Sequence, residues 1–205
     1  MTGIILAGGK NTRIAEEKAF IQLEGGQPLI ARIIKVLKTL FPEILIVPNN
    51  LEAYRDYNLP VVEDLIKGKG PLGGIFTGLC YSTSDCNFVV GCDMPFVEPS
   101  LVEFMLESSE GYDVVIPEIG GEVEPLFALY SKSCIAVIFE HLMRDNLKTR
   151  EILDKLNVKR IGIKEIERFD PRRLSFFNLN TAEDQKRAEE LLQDYASKTT
   201  CKFQE

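Results

Sequence analysis

The sequence is poor in the residues from which zinc sites and histidine-based hydrolases are built. Its 205 residues include one histidine, and its five cysteines, Cys80, Cys86, Cys92, Cys134 and Cys201, contain no Cys-x-x-Cys pair. Neither count nor spacing suits a structural zinc site. The cysteines are expected to be reduced and mostly buried, acting as small apolar residues of a cytoplasmic protein. His141 falls in an apolar helical stretch and is expected to be structural, which leaves no histidine base to activate a nucleophile. Long apolar runs are missing too. Met1 leads directly into a short apolar segment, with no basic leader and no stretch of about 20 apolar residues, so neither export nor a membrane span is expected. Basic charge is not in excess: the formal net charge is −7, against the basic footprint that nucleic acid binding requires. Internal repeats and low-complexity linkers are also absent, and one domain over residues 1–196 is expected, with 197–205 as a frayed tail.

What is present begins at the N-terminus. Ile4, Ile5, Leu6 and Ala7 form an apolar run without polar alternation, which predicts a strand buried on both faces of a parallel sheet. Gly8 and Gly9 follow, then Arg13 and Lys18. Paired glycines let the backbone approach a ligand and turn successive N–H groups into one concavity suited to phosphate. The spacing is neither a Walker A loop nor Gly-x-Gly-x-x-Gly. By itself it reads either as a phosphate cradle or as a surface turn.

Further along, Pro28 to Leu40 has apolar residues at helical spacing. Ile44 to Val47 predicts a second strand, Pro60 to Val62 a short third, and Gly68 to Gly74 a glycine-rich loop leading into a helix around Ile75 to Tyr81. Phe88 to Val90 predicts a strand ending at Asp93. Ser100 to Glu103 and Thr181 to Asp184 have the spacing of capping boxes. Val114 to Ile116 and Pro125 to Tyr130 predict strands flanking a turn at Gly120 and Gly121. Helices are expected over Ser133 to Met143 and Ile152 to Leu156, a strand near Val158 to Ile163, and a last helix towards Tyr195. The alternation predicts an α/β fold, a mostly parallel sheet with helices on both faces.

Asp93 and Asp64 each end a short apolar run, a position that suits either a crevice carboxylate or a turn and helix cap. Residues 148–173 carry nine lysines and arginines against five acids, a local balance of +4 that leaves −11 for the remainder. Such a stretch is either a solvated face or a field that draws in an anion.

The segment Leu6-Ala7-Gly8-Gly9, then Arg13 and Lys18, resembles the signature of nucleotidyltransferases that activate a phosphorylated substrate with a nucleoside triphosphate. The spelling is most similar to the molybdenum cofactor guanylyltransferases. Gly70 to Gly74, Cys92-Asp93-Met94-Pro95-Phe96 and Asn178-Leu179-Asn180-Thr181 resemble further segments of that family, in the same order. The resemblance implies a single-domain Rossmann-like fold of the nucleotide-diphospho-sugar transferase type. It implies transfer of GMP from GTP to the phosphate of molybdopterin, with release of pyrophosphate and Mg²⁺ held by Asp93. Leu6, Ala7, Gly8, Gly9, Lys18, Asp64, Gly73 and Asp93 would bind the nucleotide, and Arg13, Lys18 and Asp93 would act in catalysis. Arg150, Asn178 and Asn180 would face the acceptor. GTP and molybdopterin would be the partners, with transient contacts to cofactor-biosynthesis or acceptor proteins, and neither nucleic acid nor membrane. Two departures stand out: Arg13-Ile14-Ala15 replaces the family's Arg-Met-Gly, and Pro48 stands where an asparagine near the base is usual. The base is thus open, and the same chemistry with CTP or with a sugar or alcohol phosphate competes with the guanylyl reading, as does a non-catalytic nucleotide-binding regulatory domain.

Overall fold

A computed structural model describes residues 1–8, 18–23 and 26–200, the side chains of 194–200 excepted. Strand β1 (Thr2–Ala7) is buried along its whole length. It lies between two parallel neighbours, β2 (Glu43–Pro48) and β3 (Cys86–Gly91). The sheet continues through β6 (Phe127–Ser131) to β4 (Val114–Ile119), which also pairs with the short β5 (Glu122–Val123) and with β7 (Val158–Ile161). β6 runs antiparallel to β3 and β4, and β7 runs parallel to β4. Among the described residues five strands therefore share one direction, and β5 and β6 oppose it. β4 and β5 form a hairpin whose two turn residues, Gly120 (φ 61°) and Gly121 (φ 85°), both need the positive φ that glycine adopts without a steric penalty.

The absence of polar alternation in the strands has a direct explanation: the sheet is covered on both faces. Ile5, Ala7, Phe88, Val90, Val115 and Phe127 point into one core, with α1 (Leu29–Leu40) and α3 (Pro99–Glu107). The alternate residues Ile4, Leu6, Val89, Val114, Ile116 and Ala128 point into the other, with α2 (Gly70–Tyr81) and α4 (Cys134–Met143). A short helix α5 (Thr149–Ile152) follows α4, and α6 (Ile163–Phe169) follows β7. The last helix, α7 (Ala182–Thr200), packs Ala188 against Leu23, Leu29 and Leu179 in a smaller cluster. Among the described residues no helix is long and apolar enough to cross a membrane. Residues 201–205 of the expected tail lie outside the described residues.

Several local expectations need correction. Helix α2 begins at Gly70 with Pro71 in its first turn, so Gly73 and Gly74 are helical and not part of a loop. They are there for packing: a Cβ on Gly74 would stand 3.2 Å from Leu6 Cδ2, and one on Gly78 would stand 2.7 Å from Ile4 Cγ2. The expected strand at Pro60 to Val62 is a single parallel bridge from Val61 to Ile46, half-buried at the margin of β2. Helix α3 is capped by Glu98, whose carboxylate accepts from the Ser100 N–H and hydroxyl, because Pro99 takes the first helical position and shifts the cap upstream. The strand expected from Pro125 starts at Phe127, after a turn closed by Phe127 N–H donating to the Glu124 carbonyl at 3.0 Å. β7 ends at Ile161, and Ile163 opens a helix whose entry is fixed by Gly162 N–H donating to Glu165 Oε2 at 2.9 Å. The helix expected over Ile152 to Leu156 is divided between α5 and a 3-10 turn at Leu153–Lys155. Cys92 and Cys134 are buried, but Cys86 is half-buried and Cys80 exposed. The Thr181 to Asp184 capping box is present, with Thr181 Oγ1 and Asp184 Oδ2 each accepting the other residue's backbone N–H, at 3.1 and 2.8 Å.

Candidate active site

Because five strands share a direction, β1, β2 and β3 end at one edge of the sheet, at Ala7, Pro48 and Gly91. The chain passes from β1 to β2 on one side and then to β3 on the other, so strand order reverses about β1. Open α/β sheets bind ligands in the crevice at such a switch point. Gly8 leaves β1 there, and a Cβ on it would stand 2.7 Å from Asn49 Oδ1. The amide that Pro48 lacks is thus present one residue on, over the glycine turn. Gly9 and Arg13 lie outside the described residues. Leu6 and Ala7 are buried, and the Leu6 carbonyl accepts from Cys92 N–H at 3.0 Å, stitching the end of β1 to the turn after β3.

That turn carries Asp93. Met94 N–H donates to the Gly91 carbonyl at 3.2 Å, closing the chain tightly behind the strand. The Asp93 carboxylate folds back over Gly91, where an added Cβ would meet Asp93 Oδ1 at 2.7 Å. Burial holds the Asp93 carboxyl above its usual range, while a backbone N–H and the Lys18 charge pull in the opposite direction. The C-terminal segment arrives on the other side: Leu179 N–H donates to the Asp93 carbonyl at 2.9 Å, and Lys18 Nζ donates to Asn180 Oδ1 at 2.8 Å. Lys18, Asp93 and Asn180 are thereby gathered at one place. Asn178 turns its amide to the Phe176 carbonyl at 3.4 Å. Cys92, beside them, is no nucleophile: burial, reinforced by the Asp93 charge, pushes its thiol up to about 12.

Asp64 sits beyond β2, ahead of α2. Burial raises its carboxyl, the Thr77 side chain opposes this, and Oδ1 is buried with no hydrogen-bond partner among the described residues. Gly73 is inside α2, where a Cβ would meet Lys69 Cβ at 2.9 Å and the Ile66 carbonyl at 3.3 Å. Three residues of the basic stretch pair with acids from outside it. Arg150 donates to Glu122 Oε2 at 2.9 Å and to the Gly121 carbonyl at 3.0 Å. Lys155 pairs with Glu140 at 3.0 Å, and Arg160 pairs with Glu118. Arg150 therefore clasps the β4–β5 hairpin, which extends past the same edge of the sheet as Asp93.

The donor set fits a divalent cation. Carboxylate and amide oxygens are hard ligands of the kind Mg²⁺ and Ca²⁺ select, and a desolvated carboxylate gains by acquiring a cation. Among the described residues no group of three His, Cys, Asp or Glu side chains is gathered for a metal, so the remaining ligands would come from substrate phosphates and water. Two residues escaped the reading of the sequence. Asn49 was in view only as a neighbour of Pro48, and Glu124 was hidden because its nearness to Asp93 depends on strand register.

Comparison with known proteins gives the family of the chain. The family described as "MobA-like NTP transferase domain" matches residues 3–160. A protein of Pelotomaculum thermopropionicum called probable molybdenum cofactor guanylyltransferase is 40% identical over 183 residues, 89% of each chain. The molybdenum cofactor guanylyltransferase of Desulfosudis oleivorans is 35% identical over 191 residues, 92% of this chain and 94% of the relative. The crystal structure of molybdopterin-guanine dinucleotide biosynthesis protein A from Archaeoglobus fulgidus superposes with a TM-score of 0.81 at 30% identity, covering 95% of this chain and all of that one. The chain belongs to the molybdenum cofactor guanylyltransferase family of MobA-like NTP transferases.

Proposed function

We propose that the protein transfers GMP from GTP to the terminal phosphate of molybdopterin, with Mg²⁺ as its divalent cation. A phosphate oxygen of the acceptor attacks the α-phosphorus of GTP and forms the new P–O bond. The bond from the α-phosphorus to its bridging oxygen breaks, and pyrophosphate leaves with the electron pair. The attacking phosphate is already an anion at neutral pH, so the reaction needs no protein nucleophile and no base.

The observation that carries this reading is the meeting of Lys18, Asp93 and Asn180 through the Leu179–Asp93 and Lys18–Asn180 hydrogen bonds, at the switch point beside Gly8. Lys18 supplies fixed positive charge where charge builds on the phosphate oxygens, and the Asn180 amide orients it. Asp93 would hold Mg²⁺, which when bound supplies Lewis-acid neutralisation of the phosphates. Arg13, from the matched signature, would add a second cation. Asn49, over Gly8, offers an amide to the edge of guanine, and Asp64 stands ready to accept from the nucleoside. Leu6, Ala7, Gly8 and Gly9 would contribute backbone to the nucleotide side, whereas Gly73, whose N–H donates to the Lys69 carbonyl at 3.4 Å, serves the packing of α2. Asn178 and Arg150 would border the acceptor, Arg150 by holding the hairpin that forms the wall.

The test is pyrophosphate release by the purified protein with GTP, CTP or ATP, each with and without molybdopterin. Release with GTP that depends on molybdopterin is expected. Preference for CTP would overturn the base assignment, and binding of nucleotide without release under any pairing would make the chain a regulatory domain.

A further inference from the structure

Glu124 has no part in the site as assigned above, yet the backbone delivers it to Asp93. β3 and β6 pair antiparallel from Cys86↔Ser131 to Val90↔Phe127. The register continues one step further, since Gly91 N–H donates to the Leu126 carbonyl at 3.0 Å. The ladder ends there, with Asp93 two residues past Gly91 and Glu124 two residues before Leu126. Both strands turn at this point, and the turns face each other: Met94 N–H closes on the Gly91 carbonyl and Phe127 N–H on the Glu124 carbonyl. The Asp93 side chain leans towards that second turn, because Asp93 Oδ1 lies 2.7 Å, and Leu126 Cβ and Cδ1 both 3.7 Å, from the same point, the position of a Cβ on Gly91. Glu124 is also anchored behind, its N–H donating to the Pro117 carbonyl of β4 at 3.1 Å. The Glu124 side chain is half-buried there, within reach of the Asp93 charge.

Among the described residues two carboxylates face one lysine here, an unfavourable place for a polyphosphate unless a multivalent cation stands between them. We propose that Glu124 is a second carboxylate ligand, together with Asp93, for the divalent cation of this crevice. The inference rests on nucleotidyl transfer being the reaction of the site.

The experiment uses the full chain without nucleotide or acceptor. Mn²⁺ is titrated and followed by the loss of its free-ion electron paramagnetic resonance signal, for wild type, Glu124→Gln, Glu124→Asp and Asp93→Asn. Glu124→Gln is expected to weaken Mn²⁺ binding roughly 10- to 100-fold, the range found when groups that support a metal site are removed, and Glu124→Asp to weaken it less. A second readout is GTP affinity with and without Mg²⁺. In EDTA, Glu124→Gln should bind GTP more tightly than wild type, because a repelling charge has gone, whereas with Mg²⁺ it should bind less tightly. A merely structural wall residue would not invert in this way. Wild-type Mn²⁺ affinity in Glu124→Gln, with Asp93→Asn impaired, would overturn the inference and leave the transfer reading intact. Wild-type Mn²⁺ affinity in both would remove the metal from Asp93 as well. An unchanged Mn²⁺ affinity with a raised KM for molybdopterin would make Glu124 an acceptor contact and overturn its place as a ligand. Should Glu124→Gln fail to fold, Glu124→Asp carries the test, since it keeps the charge and shortens the reach: wild-type Mn²⁺ affinity in that variant would count against the inference.

Discussion

Alanine in place of glycine inside a helix ordinarily stabilises a protein, by about 1 kcal/mol. Gly78→Ala is expected to do the opposite. The new Cβ would lie 2.7 Å from Ile4 Cγ2 and 2.9 Å from Ile4 Cδ1, well inside van der Waals contact. Ile4 is fully buried in the central strand, with Leu72, Ile75, Leu79 and Val89 in the same core cluster, and its branched Cβ leaves it little rotamer freedom. Either α2 lifts from the sheet or Ile4 leaves its rotamer. Overpacking of this kind costs about 1–3 kcal/mol, so after the gain of about 1 kcal/mol in helix propensity a net loss of up to about 2 kcal/mol remains. For a chain of this size that corresponds to a melting temperature lower by up to roughly 8 °C. Gly74→Ala is the internal control: its Cβ would meet the end of a flexible leucine, Leu6 Cδ2, at 3.2 Å, and a change close to zero is expected. The assay is calorimetry of both variants, with Ile4→Val combined with Gly78→Ala to remove one of the two clashing methyls. The double variant should recover part of the loss, a non-additivity that two independent sites would not show. A Gly78→Ala melt at or above wild type would refute the close seating of α2 on β1.

Lys18→Ala is expected to raise the KM for GTP and lower kcat together, with an unchanged melt, since its Nζ bond to Asn180 is exposed and contributes little to the core; wild-type values for both constants would refute its role. Reversal at Arg150, Arg150→Glu, breaks the contacts to Glu122 and Gly121 and should raise the KM for molybdopterin more than that for GTP. Equal effects on the two substrates would reduce Arg150 to a surface ion-pair residue. Glu43 gives a pH prediction: the Thr2 hydroxyl, helped by Thr83, holds its carboxyl below the ordinary 4.5. A carboxyl lowered in the folded state contributes stability above its unfolded pKa and loses it as pH falls through the folded value. Glu43→Gln should therefore lower the melt at pH 7, with the difference from wild type closing as the pH is taken below 4.5; a gap that stayed constant would refute the linkage.

The parts of the fold that could be read from the sequence are those where one local force dominates. Ile4 to Ala7 and Phe88 to Val90 are apolar on both faces because helices cover both, so an unbroken apolar run suffices to place them. The start of α2 went the other way. Its glycines look like a loop by propensity, and only contact with Ile4 and Leu6, some 70 residues earlier, explains why they are helical. Gly162 hid a strand end and a helix start in one residue, since Ile161 and Ile163 read as one apolar run. At the candidate site, the place of Asp93 was legible as a polar residue ending an apolar strand, and the Asn178 to Thr181 segment only through its resemblance to the family. The local balance of the basic stretch overstates its field, since Glu118, Glu122 and Glu140, which pair with Arg160, Arg150 and Lys155, lie outside it in sequence. Glu124 was beyond reach for a similar reason: it meets Asp93 only through strand pairing, and nothing adjacent in sequence announces that.

The bond from Lys18 to Asn180 joins positions 162 residues apart. Contacts of such long separation form late in folding, since the loop they close must be ordered first. A chain emerging from the ribosome can pair β1 with β2 and β3, and so present Asp93, well before residues 178–180 have been synthesised. The amide that orients the lysine, and the backbone N–H that holds the Asp93 carbonyl, arrive with almost the last helix. Assembly of the proposed phosphate site thus waits for residues 178–180, and a nascent or truncated copy lacking them would hold the strand ends without the contact that joins them to Lys18.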